Sequence, residues 1–201
     1  MRVAILGKGE TYNLYPGREG NEHVKPYDEV WGLNQMGAYD LGLDKLFVMD
    51  DLIYRMPQYA GQEFCDWLKD YKGRIITAAA YDDWPTSEPY PIEEHCKYFG
   101  IPLGLVMYST PDYMLAMAIM EGFDEIDLYG VDMTQAKGLE EMRTGTGLWI
   151  GVAMAKGIRV TTVPGSFYQF YTNVSVAMEY GLYGYAFRPR IENLCEPRKT
   201  S

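Results

Sequence analysis

The stretch VAILGKGET, residues 3–11, is an apolar run that stops at Gly7 and is followed by a second glycine, Gly9. A short apolar run that ends in a glycine turn is typical of a buried β-strand. Comparable runs recur along the chain. We therefore predict six strands, over RVAIL (2–6), DEVWGLN (28–34), KLFVMD (45–50), RIITAA (74–79), EIDLYGVD (125–132) and IRVTTVP (158–164).

Helical segments separate these strands. Periodic apolar residues, together with Pro and Gly at the segment ends, predict helices over residues 56–71, 91–100, 110–122 and 139–157. The third helix is marked at both ends, because Thr110 is a candidate N-cap and Gly122 a stop. Strands that alternate with helices predict an α/β fold, a Rossmann-like domain with a mostly parallel sheet and helices on both faces.

The chain has the size and composition of one globular domain. Its 201 residues are 47% hydrophobic and 23% charged, and no repeat or low-complexity linker divides them. We predict a single domain over 1–201, with a core over 1–165 and a Tyr- and Gly-rich tail over 166–201. The tail is either the arm of a homo-oligomer or a ragged end. Two loops, 12–27 and 80–91, are candidate lids over a site.

The net charge argues against one class of partner. A formal charge of −10 at pH 7 disfavours binding to duplex nucleic acid, which depends on clusters of Lys and Arg, but it is compatible with a small anion such as a nucleotide. The N-terminus has no signal-peptide core and the apolar stretches are strand-sized, which predicts a cytosolic protein without a membrane span. Cys65, Cys96 and Cys195 form no CxxC pair, so neither a disulfide framework nor a zinc site is predicted.

The carboxyl ends of the predicted strands hold the candidate ligand-binding residues. In an open parallel sheet, ligands bind outside these ends, near the point where the strand order reverses. Polar or glycine-containing segments stand at four of the ends. They are Gly7, Lys8, Gly9, Glu10 and Thr11; Asn34 and Gln35; Asp50 and Asp51; and Gly130 with Asp132.

The first glycine turn differs from a dinucleotide fingerprint. Tyr12 stands where G-x-G-x-x-G requires its third glycine, and the second strand ends in Asn34 instead of an acidic residue. These differences disfavour NAD, and the absence of a following G-K-[ST] excludes a P-loop. Two interpretations remain: a turn whose N–H groups bind a phosphate or carboxylate, and a plain strand-to-loop turn.

Three polar residues each have a binding and a structural interpretation. Asn34 either reads a base edge or sugar hydroxyl through its amide, or satisfies a turn. Ser109 and Thr110, in the stretch YSTPD (108–112), either bind an anion at a helix N-terminus or cap that helix. The sequence leaves both pairs of alternatives open.

Acidic and histidine residues are the remaining candidates. Asp50, Asp51 and Asp132 would bind a divalent cation if they converge, and are turn residues otherwise. His23 lies in the first loop, within reach of a site, whereas His95 on a short helix is expected to be structural. No spacing predicts a Ser-His-Asp or Cys-His arrangement.

Several motifs together resemble those of a known family. VAILGKGE (3–10), VWGLNQ (30–35), KLFVMD (45–50) and above all YSTPDYMLAMAIMEGFDEIDLYGVDMTQ (108–135) are similar to the Rossmann-like core of bacterial sialyltransferases that modify lipooligosaccharide. Often phage-borne relatives of those enzymes and archaeal pterin pyrophosphokinase-like proteins share this core. The similarity extends from the first strand to about residue 170.

The resemblance implies a nucleotide-sugar site. Members of that family hold a cytidine monophosphate ester of sialic acid and work without metal, so that no metal cofactor is implied. By position, the resemblance implies donor contacts at Gly7, Lys8, Gly9, Asn34, Gln35, Ser109 and Thr110, and contacts to the leaving phosphate at Asp132, Met133 and Thr134.

Three departures from the family pattern bear on the chemistry. The aromatic hydroxyls that the family has after the GVD element (130–132) are absent here, and Thr134 is the nearest substitute. The family's G-N-G-P-S turn reads G-K-G-E-T here, so that Lys8 supplies a cation that could pair with a phosphate. The family's general-base His precedes an aromatic-Ile-Gly step that matches residues 149–151, and Leu148 occupies its position. The candidate substitutes for this base are Glu140, Glu141 and His23.

The function predicted from these residues is that of a glycosyltransferase-like enzyme with a nucleotide-activated sugar donor and a small or glycan acceptor. Asp132 and Thr134 would orient the reacting phosphate, and Glu140 or His23 would accept the proton. The alternatives are a Mg²⁺-dependent pyrophosphokinase-like transferase and a non-catalytic protein that sequesters a nucleotide.

Overall fold

The computed structural model describes residues 1–17, 27–102, 107–134 and 139–169 of the chain. The candidate base His23 and residues 170–201 of the predicted tail lie outside the described residues.

Within these ranges seven strands form one sheet, in which every pair of neighbours is parallel. In chain order they are β1 (Arg2–Leu6), β2 (Glu29–Leu33), β3 (Lys45–Val48), β4 (Arg74–Thr77), β5 (Ser87–Pro89), β6 (Glu125–Tyr129) and β7 (Arg159–Thr162). Their spatial order is β5-β4-β3-β2-β1-β6-β7. The predicted Rossmann-like α/β fold is confirmed.

The order of the strands reverses at β1. The chain places β2 to β5 on one side of β1 and then returns to add β6 and β7 on the other side. Ile5 of β1 therefore lies between Trp31 of β2 and Leu128 of β6. The crevice between the carboxyl ends of β1 and β6 is where doubly wound sheets bind ligands.

Five α-helices lie in three of the six connections between successive strands, within the described ranges. They are α1 (Met56–Ala60), α2 (Gln62–Asp70), α3 (Ile92–Phe99), α4 (Thr110–Met120) and α5 (Glu140–Ala155). Two 3₁₀ turns, Glu10–Leu14 and Asn34–Ala38, follow β1 and β2. No helix within the described ranges is long and apolar enough to cross a lipid bilayer.

Three details differ from the predicted elements. The helix predicted over 56–71 is two helices, because Gly61 adopts φ +87°, a conformation that ends α1. The N-cap of α4 is Ser109 instead of Thr110. The predicted loop 80–91 contains the short edge strand β5, in which Pro89 is tolerated because an edge strand leaves one side unpaired.

Apolar side chains alternate between the two faces of the sheet. Val3 and Ile5 belong to the core cluster that packs against α3, α4 and α5, whereas Ala4 and Leu6 belong to a cluster on the opposite face. On that opposite face α1 and α2 cover the strands β3 and β4. The prediction of helices on both faces is therefore confirmed.

His95 is a structural residue, as the sequence predicted. It is buried on α3, and its Nδ1 lies 2.9 Å from the hydroxyl oxygen of Tyr90. Its ring also packs against the rings of Phe99 and Trp149. Burial lowers the pKa of the imidazole, so that the neutral form is favoured in the native state.

Candidate nucleotide site

The glycines of the first turn serve a close approach of two strand ends. The N–H of Gly7 donates to the carbonyl of Tyr129 at 2.7 Å, and the N–H of Gly9 donates to the carbonyl of Gly130 at 2.8 Å. A Cβ atom at Gly9 would stand only 2.8 Å from that same carbonyl oxygen, although Gly9 itself has an ordinary φ of −71°. These glycines are therefore needed for contact between β1 and β6, and their two N–H groups are directed at β6.

Hydrogen bonds of Thr11 and Asp132 join the two strand ends that border the same crevice. The N–H of Thr11 donates to Asp132 Oδ2 at 2.9 Å, and the Thr11 hydroxyl donates to the other carboxylate oxygen. The hydroxyl oxygen in turn accepts the N–H of Gly130 at 2.9 Å. Both side chains are buried, at 7% and 6% exposure. The carboxylate of Asp132 therefore ties the turn after β1 to the end of β6.

Lys8 points away from the Thr11–Asp132 contact, and its side chain contacts the segment after β2. Its exposed ammonium donates to Gln35 Oε1 at 2.9 Å and lies 5.0 Å from the ring centroid of Tyr59. The structure thus brings together two residues that the sequence placed at separate strand ends. Tyr59, on α1, was not among the predicted site residues, because a lone exposed tyrosine in a short helix carries no motif.

Asn34, the first residue after β2, has a strained backbone conformation. Its φ is +49°, a left-handed value that Asn tolerates better than most residues. The side chain is 5% exposed, and its Oδ1 atom has no hydrogen-bond partner among the described residues. An unpaired buried acceptor costs about 1–3 kcal/mol, so this oxygen favours a ligand that donates an N–H or O–H.

The N-terminus of α4 is capped by side chains of the protein itself, Ser109 and Asp112. The fully buried Asp112 accepts hydrogen bonds from the N–H groups of Tyr108 and Ser109, at 2.7 and 2.9 Å, and from the hydroxyls of Ser109 and Thr146, at 2.8 and 2.6 Å. Burial raises the pKa of this carboxyl, while the four donors oppose the rise. Ser109 therefore has the capping role, and Thr110, the first residue of α4, is partly buried beside it.

The turn after β6 is the second strained segment. Met133 has φ +50°, which is rare for a long unbranched side chain. Thr134 is exposed at its end, and Glu140 is exposed at the start of α5. Leu148, at the position of the family's base, is 46% exposed on α5. Strained backbone thus occurs at Asn34 and at Met133, both among the predicted site residues.

The aspartates after β3 behave differently from each other. Asp50 is exposed. Asp51 accepts the N–H groups of Ile53 and Tyr54, at 3.0 and 2.6 Å, as an aspartate does in a turn. Nowhere in the described ranges do three or more His, Cys, Asp or Glu side chains form a group that could hold a metal ion.

Solved structures of a sialyltransferase have this architecture. CstII from Campylobacter jejuni, in complex with the substrate analogue cytidine-5′-monophosphate (CMP), aligns with a TM-score of 0.52 at 18% identity, over 86% of this chain and 84% of that one. A point variant of CstII in complex with CMP aligns with a TM-score of 0.50 at 18% identity, over 83% of each chain. The chain has a sialyltransferase-like fold. No family model matches the chain, and no curated protein matches it.

The alignment confirms the resemblance stated from the motifs at the level of the fold. The glycine turn, Asn34 with Gln35, and the turn after β6 all lie at the carboxyl edge of the sheet, the edge at which such folds bind ligands. The assignment of individual residues to the donor stays a prediction.

Proposed function

We propose that this protein is a glycosyltransferase-like enzyme that binds a nucleotide-activated sugar at the carboxyl edge of its sheet and transfers the sugar to an acceptor hydroxyl. The observation that carries the proposal is the buried, unpartnered Oδ1 of Asn34 at that edge, one residue before the contact between Gln35 and Lys8.

Lys8 is suited to hold the phosphate of the donor. Its ammonium contacts an amide oxygen and an aromatic ring, and both partners orient the cation without neutralising it. None of the ion pairs within the described part of the chain includes Lys8. A phosphate ester that binds beside Lys8 and Gln35 would therefore meet a full positive charge in a protein whose net charge is −10.

Asn34 is suited to hold the nucleoside. Its free oxygen accepts a hydrogen bond, which a ribose hydroxyl or an exocyclic amine of the base can donate. The side chain is 5% exposed, so the packing around it restricts its rotation before any ligand arrives. Such preorganisation supports recognition of one ligand geometry.

The turn after β6 would face the leaving phosphate. In this proposal Met133 and Thr134 contact the phosphate, and Asp132 holds the crevice in shape through Thr11. Catalysis would come from positioning and from stabilisation of the leaving group. Glu140 is the proposed base within the described residues, because it is exposed at the start of α5.

Calorimetric titration with CMP, with and without Mg²⁺, tests the binding site. We expect metal-independent binding, and we expect Lys8→Ala to weaken it about five- to tenfold through loss of the charge. Lys97→Ala, which removes an exposed lysine of α3, is the matched control and should leave the affinity unchanged. Absence of CMP binding, or equal affinities for the three proteins, would contradict the proposed site.

One observation favours a second candidate function. Leu148 cannot accept a proton, so the chain could bind a nucleotide without turning it over. Release of CMP from a CMP-activated sugar separates the two functions, since binding without release identifies a sequestering protein. A Mg²⁺ requirement would instead favour the pyrophosphokinase-like alternative, although the carboxylates of Asp51 and Asp132 are already engaged in turns.

A further inference from the structure

The turn after β6 is held by the segment that follows β7. The hydroxyl of Ser166 donates to the carbonyl of Val131 at 3.2 Å, and the N–H of Phe167 donates to the carbonyl of Asp132 at 2.7 Å. Two successive carbonyls of the turn are thus fixed by groups more than thirty residues away in sequence. A turn held this way keeps its conformation only while those donors stay in place.

Arg143 of α5 holds the next carbonyl. Its Nε–H donates to the carbonyl of Met133 at 2.6 Å, and its guanidinium carbon lies 5.0 Å from the ring centroid of Phe167. The hydroxyl of Tyr168 donates to the main-chain carbonyl of Arg143 at 3.1 Å. Arg143 therefore contacts both the strained turn and the segment that clamps it.

The strained backbone of Met133 explains why this contact matters. Residues with long side chains rarely adopt a φ of +50°, and they keep it only where the surroundings impose it. The hydrogen bond from Arg143 ends on the carbonyl of that same residue, and a charged donor makes it stronger than a neutral one. Without it, the backbone of Met133 is free to relax toward a commoner conformation.

We propose that Arg143 is a positioning residue, which fixes the turn Val131–Thr134 in the conformation that receives the donor phosphate. The identity of the ligand in this inference rests on the proposed function. The hydrogen bond from Arg143 to the Met133 carbonyl is observed independently of that function. The core packing of α5 comes from other residues, namely Trp149, Ile150 and Ala153, which are buried further along the helix. A substitution at Arg143 should therefore loosen the turn without unfolding the protein.

Hydrogen exchange on the ligand-free protein tests whether Arg143 fixes the turn Val131–Thr134. The amide of Phe167 reports on the turn, because its acceptor is the carbonyl of Asp132. In Arg143→Ala we expect its protection to fall about tenfold with the global unfolding midpoint nearly unchanged. Arg143→Lys should restore part of it. The control is Lys156→Ala, which removes a cation 4.8 Å from the ring centroid of Tyr98 at the far end of α5, and should change nothing at Phe167.

Affinity for CMP tests the consequence for binding. If the competent turn is populated about one-tenth of the time in Arg143→Ala, its dissociation constant for CMP rises about tenfold, with partial recovery in Arg143→Lys. The inference is overturned if Arg143→Ala leaves the protection of the Phe167 amide unchanged. It is also overturned if the wild type binds CMP and Arg143→Ala binds it with the same affinity. In both cases the proposed function stands. If the wild type binds no CMP while protection falls as expected, the hold by Arg143 is supported and the proposed function fails.

Discussion

Replacement of Thr11 by Val tests the hydrogen bonds that join the carboxyl ends of β1 and β6. Valine keeps the shape and volume of threonine but removes the hydroxyl. That hydroxyl donates to the Asp132 carboxylate and accepts the N–H of Gly130 at 2.9 Å, inside a crevice where both side chains are buried. Two buried groups therefore lose a partner at once, and water cannot readily replace it.

The magnitude follows from the two lost bonds. A hydrogen bond to a charged group contributes about 1.5–3 kcal/mol, and a buried N–H left without an acceptor costs about 1–3 kcal/mol. The carboxylate keeps one partner, because the N–H of Thr11 still donates to Asp132 Oδ2 at 2.9 Å. We expect the free energy of unfolding to fall by about 3 kcal/mol, which for a chain of this length lowers the melting temperature by about 6–12 °C.

Urea unfolding followed by circular dichroism measures this loss as a shift of midpoint at constant slope. Thr11→Ser keeps the hydroxyl and should retain most of the stability. Thr161→Val, at an exposed position of β7, should change the free energy of unfolding by less than about 0.5 kcal/mol. A loss below about 1 kcal/mol in Thr11→Val would refute the argument that the hydroxyl bridges β1 and β6.

Two further predictions concern buried positions that pack against α4 or α5, Gly145 and His95. In Gly145→Ala the new Cβ would stand 2.5 Å from Asp112 Oδ2 and 2.9 Å from Tyr108 Cδ2. We therefore expect the free energy of unfolding, measured with urea, to fall by about 1–3 kcal/mol. The control is Gly151→Ala, which adds a Cβ in open space and should be neutral or stabilising. Because burial lowers the pKa of His95, the unfolded chain binds a proton below the ordinary pKa of 6.5 that the native protein does not, so stability should fall as the pH drops below 6.5. His95→Phe should lessen that slope in unfolding measured between pH 7 and about 5, and equal slopes in the two proteins would contradict the assignment.

The strands and most helices were predictable because their signals are local. The runs before Gly7 and Gly130 contain apolar residues at strand length, and α4 carries Pro111 near its start and Gly122 at its end. Local signals failed for β5, since Ser-Glu-Pro is polar and becomes a strand only through pairing with β4. They also failed at Gly61, whose positive φ divides α1 from α2.

The sequence predicted that some strand-end residues would lie together, but not the contacts that the other candidate residues make. The rule that ligands bind at carboxyl strand ends selected Lys8 and Gln35, and the structure places them in contact. The sequence could not indicate that Thr11 engages Asp132, nor that Arg143 holds Met133, because these partners are far apart in the chain. The contact between Lys8 and the ring of Tyr59 on α1 likewise joins residues that are far apart in the chain.

The sequence by itself determined the alternation of strands and helices, and with it the fold class, because apolar periodicity and the glycine and proline signals act over a few residues. Only the tertiary structure decided that β6 pairs beside β1, with Leu6 opposite Tyr129 across more than a hundred residues of chain. The physical reason is that parallel pairing depends on the burial of both sheet faces at once, an energy that no local stretch contains.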